Sequence, residues 1–140
     1  MMITKTGSAK WSGGLKDGKG TISTQTGVLS DEAYSFAKRF EGEAGTNPEE
    51  LLGAAHAACY SMALSNILGE AGMTAESIET TATVTLDAGQ GAITKVHLDV
   101  TARVSGGDED AFKEAAGKAK EGCPVSKLFN AEITLDATLS

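Results

Sequence analysis

Aromatic side chains are scarce in this sequence: four Phe, two Tyr and one Trp make up 5% of 140 residues. A core built mostly from smaller residues suits closely packed helices, but it is thin, and it points towards an oligomer. Runs of positive charge are absent as well, with 12 Lys+Arg against 19 Asp+Glu and a formal charge of −7. Without a basic stretch to follow a phosphate backbone, nucleic-acid binding is a poor fit. The acidic excess favours solubility and says nothing specific about substrate. The N-terminus shows no charged-then-apolar leader. Residues 51–69 carry no formal charge, yet they include His56, Ser61, Ser65 and Asn66. Those side chains are costly in hydrocarbon, so a buried soluble helix is expected there and no membrane span. The expected location is the cytoplasm. Cysteine is limited to two residues, Cys59 and Cys123. In a reducing compartment such a pair more often signals redox or metal chemistry than a permanent disulfide.

What is present organises one expected domain over residues 1–140, with 41% apolar residues arguing against disorder. Residues 2–11 place Ile3, Lys5, Gly7, Ala9 and Trp11 on one face of a strand. Asp17-Gly18 offers a turn, and residues 20–26 return. YSFAKRFEG (34–42) reads as a third strand. Thr46-Asn47-Pro48-Glu49-Glu50 is a helix start, with a polar cap, a proline pre-set for the first turn and two carboxylates at the positive end. The helix runs to about Gly69. Ala54, Ala55, Ala57, Ala58 and Cys59 keep it narrow, and apolar residues around its circumference predict a central, buried element. Residues 78–87 and 95–104 alternate as strands with one wet face. Residues 108–121 form a surface helix, Pro124 opens a short one to about Phe129, and 131–139 is the last strand. The fold class is α+β, antiparallel sheets around a long buried helix.

The residues alone leave the chemistry open. Cys123 precedes Pro124 and caps the short helix, where unpaired N–H groups favour a thiolate. Cys59 sits mid-helix in apolar surroundings that disfavour one, and free Cys is often a plain core residue. Arg39 fits a solvated strand, and Glu49 fits an ordinary first-turn carboxylate. His56, three residues before Cys59, would share a metal site only with a second cluster that the spacing does not provide. His97 falls on the polar strand face.

Two blocks carry a resemblance. RFEGEAGTNPEELLGAAHAACYSMALS (39–65) and KEGCPVSKLFNAEITLDATL (120–139) resemble the signature blocks of the OsmC/Ohr family of thiol peroxidases. The opening KTGSAKWSGGLKDGKGTISTQTGVL is similar to the OsmC branch. The resemblance implies an intertwined homodimer with active sites at the interface and no bound cofactor or metal. It implies that Cys59 attacks an organic hydroperoxide and that Cys123 resolves the sulfenate as a disulfide. Arg39 would stabilise the thiolate, and Glu49 would orient Arg39. An external dithiol, such as dihydrolipoyl groups on a lipoylated protein, would then restore the thiols. Phe40, Met62 and Phe129 are candidates to line an apolar entrance, with core packing as the alternative for each. The competing readings are a non-catalytic module for a small ligand or partner protein, and a metal site built from Cys59, Cys123 and His56.

Overall fold

Turn chemistry and strand alternation shape the beginning of the chain. In the computed structural model, which describes residues 1–140, β1 (Gly7–Ser12), β2 (Lys19–Thr24) and β3 (Glu32–Tyr34) form an antiparallel sheet. Gly20 is required in β2, because a Cβ there would press on the Lys10 carbonyl and on the Trp11 and Tyr34 rings. Those two rings pack with centroids 5.3 Å apart. Residues 34–42, expected as a strand, become instead the end of β3 and a short helix, α1 (Phe36–Phe40). The cause is local. Ser35 is extended and its Oγ accepts the Lys38 N–H at 3.2 Å, which starts a helical turn. Phe36 and Phe40, one turn apart, then pack with ring centroids at 4.9 Å. Residues Met1–Leu51 form a compact unit, yet no hydrophobic residue before Tyr60 is fully buried. Leu15, Val28 and Phe40 are among its exposed side chains.

Helix α2 (Pro48–Glu70) begins where Asn47 Oδ1 accepts the Glu50 N–H at 2.8 Å. From Leu52 it belongs to the second compact unit, which extends to Ser140. Gly53, His56, Tyr60, Leu64 and Leu68 make its buried stripe, spaced at three to four residues. Gly53 is a place of close approach, where a Cβ would meet the Ala82 carbonyl at 3.1 Å. The rest of the helix departs from the expectation of burial all round: Ala54, Ala55, Ala58, Met62, Ser65 and Asn66 are exposed. By length and composition α2 could cross a membrane, but its buried stripe packs on elements of its own chain. Ser61 bonds Thr80 at 2.7 Å, and Tyr60 Oη donates to the Ala116 carbonyl at 3.0 Å.

The second sheet contains β4 (Thr74–Asp87), β5 (Ala92–Ser105) and β6 (Glu132–Leu139), in that order. β4 and β5 are antiparallel, whereas β6 runs parallel to β5, so this sheet is mixed and not purely antiparallel. A parallel neighbour needs a crossover. Here it consists of α3 (Glu109–Gly122), capped by Asp108, and α4 (Pro124–Leu128). Val96, Leu98, Val100 and Ala102 of β5 are buried with Tyr60, Leu64 and Leu68 of α2 and Phe112, Ala115, Ala116 and Ala119 of α3. Cys123, at the joint between α3 and α4, is also fully buried in this core.

Candidate active site

The second unit places the two thiols side by side. Cys59 lies on α2, half-buried, and Cys123 stands at the start of α4; both are unbonded and close enough to share a hydrogen bond. Burial pushes the Cys59 thiol up, and the hydrogen bond with Cys123 adds to that. The influence that opposes the rise is the backbone N–H of Val125. Val125 belongs to the first turn of α4, whose amide end the sequence had pointed at Cys123; the Cys123 side chain makes no capping hydrogen bond.

One turn away, α2 and α4 meet again. His56 Nε2 and Ser126 Oγ lie 2.7 Å apart, with both residues buried. The Phe129 ring packs against the imidazole at 5.4 Å, and Nδ1 has no hydrogen-bond partner. Phe129 therefore packs partly on the core, and Met62 is exposed on α2. Sequence reasoning weighed His56 only as a metal ligand and passed over Ser126. No three His, Cys, Asp or Glu side chains come together as a set that could hold a metal ion. His97 sits on the wet face of the sheet, bonded to Thr134 at 2.5 Å and Asp136 at 3.1 Å.

Burial holds the His56 imidazole below its ordinary value of 6.5. The unfolded chain therefore binds a proton there more readily than the folded one. Stability from this residue is complete above the unfolded value and is lost as pH falls from there through the folded one. The denaturation midpoint is expected to be lower at about pH 5 than at about pH 7.5, and His56→Gln should shrink the difference. Equal pH dependence in the variant and the wild type would assign the effect to other groups.

The first unit holds the remaining candidates. Arg39 Nε and Nη2 donate to Glu49 Oε1 and Oε2, each at 2.9 Å, in a two-pronged pair. That bond raises the guanidinium's hold on its proton and fixes its plane. Because α1 is helical, Arg39 and Phe40 lie next to each other at its end, with the guanidinium 5.2 Å from the Phe40 ring. Both residues line a cleft of about 150 Å³ with Trp11, Leu15, Tyr34 and Phe36. The cleft is thus apolar with one cation at its edge.

A family model described as OsmC-like protein matches residues 40–138. Over 141 aligned residues the chain is 57% identical to Peroxiredoxin OsmC of Escherichia coli (strain K12), covering 99% of both. It is 29% identical over 121 residues to the organic hydroperoxide resistance protein OhrB of Bacillus subtilis, covering 86% of this chain and 88% of that one. The crystal structure of that OhrB superposes with a TM-score of 0.65, covering 96% and 98% of the two chains at 27% identity. An OsmC-like protein from Mycoplasma pneumoniae shares the fold with a TM-score of 0.76 over 99% of each chain, at 16% identity.

Proposed function

The chain belongs to the OsmC family, and on that footing we propose that it is a cytoplasmic, cysteine-based peroxidase that reduces organic hydroperoxides to alcohols. The observation that carries this reading is the half-buried Cys59 thiol beside the buried Cys123 thiol. In the first step the Cys59 thiolate attacks the outer peroxide oxygen. An S–O bond forms, the O–O bond breaks, and the alkoxide leaves and takes a proton as the alcohol. In the second step the Cys123 sulfur displaces the hydroxyl from the Cys59 sulfenic acid, giving a disulfide and water. A dithiol then returns two electrons and two protons; dihydrolipoyl groups of a lipoylated protein are the proposed source.

Arg39 is the cation proposed to stabilise the Cys59 thiolate and the charge growing on the leaving oxygen, with Glu49 fixing its direction. Glu49 and Cys59 are ten residues apart on α2, about 15 Å of helix rise. The pair of one subunit is therefore proposed to serve Cys59 of the partner subunit in a homodimer. Two features support the dimer: the exposed Ala- and Met-bearing side of α2, and a first unit without a buried hydrophobic core of its own.

The cleft beside Arg39 and Phe40, with Met62 and Phe129 as further candidates, suits an organic substituent. Burying each methylene contributes about 0.8 kcal/mol, roughly fourfold, so two or three favour an organic hydroperoxide over hydrogen peroxide by roughly 15- to 60-fold. The test is turnover of both peroxides by reduced protein with a dithiol. Expected is catalytic consumption with that preference in kcat/KM. No consumption by the reduced protein would sink the reading and bring forward a non-catalytic binding module.

A further inference from the structure

Four side chains of α2 and α4 meet as two adjacent rungs. On α2, His56 and Cys59 are three residues apart; Cys123, which precedes α4, and Ser126 on α4 are three apart in the opposite sense. Cys59 faces Cys123, and one turn along His56 faces Ser126 at 2.7 Å. The thiol rung carries the proposed chemistry. The imidazole–hydroxyl rung is buried, with His56 at 0% and Ser126 at 8% exposure, and the peroxidase steps do not use it.

We propose that His56 and Ser126 are positioning residues for disulfide formation: their hydrogen bond fixes the register of α4 on α2, keeping Cys123 opposite Cys59 while Cys59 carries the peroxide oxygen. The need for such a tie follows from the elements involved. α4 has only five residues, too few for a helix to hold its place by its own hydrogen bonds. In the resolving step the Cys123 sulfur supplies the electron pair for the S–S bond. The S–O bond pair leaves with the oxygen, which departs as water with the thiol's proton. That displacement needs the incoming sulfur in line with the S–O bond, and apolar packing alone is not directional. The hydrogen bond is directional, and the Phe129 ring packs against the imidazole.

This inference rests on the peroxidase reading, and single-turnover kinetics separates the two. Full-length reduced protein is mixed with one equivalent of an organic hydroperoxide at a pH where Cys59 is ionised. Attack is followed by peroxide loss, and the sulfenic acid's lifetime by trapping with a 1,3-dicarbonyl reagent. In Ser126→Ala, attack is expected to stay within about threefold of wild type, while disulfide formation slows by on the order of 10- to 100-fold. The trapped sulfenic acid should rise in proportion. Ser126→Thr, which keeps the hydroxyl, and His56→Gln, which keeps an N–H at the same reach, should restore most of the rate. Disulfide formation at the wild-type rate in Ser126→Ala would overturn the proposal. So would a Ser126→Thr protein as slow as Ser126→Ala, which would reduce the rung to packing. A wild-type protein that fails to attack the peroxide at all would overturn the peroxidase reading and this proposal with it.

Discussion

Cys59→Ser is expected to lose peroxide consumption by at least about 10³-fold, whereas reduced Cys123→Ser should consume one equivalent of hydroperoxide and then stop. The asymmetry follows from where the two sulfurs sit. Cys59 is partly open to solvent, while Cys123 is fully buried in the core. A serine hydroxyl stays un-ionised near neutrality and cannot replace a thiolate as the attacking group. Cys123→Ser keeps the attacker and removes only its resolving partner, so a sulfenic acid should persist and be open to trapping. Burial pushes the Cys59 thiol up, so the thiolate fraction grows as pH rises, and the attack rate of Cys123→Ser should climb with pH into the alkaline range. Mass spectrometry of the two variants after peroxide treatment checks the assignment. Oxidation of Cys59→Ser, with Cys123→Ser inert, would exchange the roles.

Where the chain announces its structure, it does so through local chemistry. Thr46-Asn47-Pro48-Glu49-Glu50 marks the start of α2 because Asn47 caps the Glu50 N–H within the same few residues. The alternation of β5 is legible because its buried side, Val96 to Ala102, rests on a single core. The cap at Ser35 is equally local, but reading 34–42 as a third strand conceals a single helical turn. The parallel direction of β6 carries no signal within its own residues, since it is set by the crossover through α3 and α4. The candidate site divides in the same way. The presence of two cysteines and the helix start at Pro124 are visible in the chain. The influence of the Val125 N–H on Cys59 is not, because a backbone N–H has no residue type, and the two residues lie far apart in sequence. His56 and Ser126 stand 70 residues apart, and only the pairing of α2 with α4 joins them.

Mixing two inactive variants is expected to restore activity. Arg39→Ala should lower kcat/KM by on the order of 10²- to 10³-fold, because it removes the proposed donor to the leaving oxygen. Arg39→Lys should recover little of this, since a lysine cannot make the two-pronged pair that Glu49 forms with the guanidinium. Cys59→Ser is inactive for the separate reason given above. When the two chains are co-expressed and assemble at random, about half of the dimers contain one of each. If the Arg39–Glu49 pair serves Cys59 of the partner subunit, every mixed dimer has one complete site. That site joins the native Cys59 of the Arg39→Ala chain to the native Arg39 of the Cys59→Ser chain, and the other site lacks both. The mixture should then show about a quarter of wild-type activity, far above either parent. If each subunit instead uses its own Arg39, both sites of a mixed dimer are broken and mixing restores nothing. A helix that is straight from Glu49 to Cys59 separates them by about 15 Å, which favours the first outcome. Glu49→Gln in place of Arg39→Ala should complement in the same pattern from a smaller initial loss, because it loosens the arginine without removing its charge.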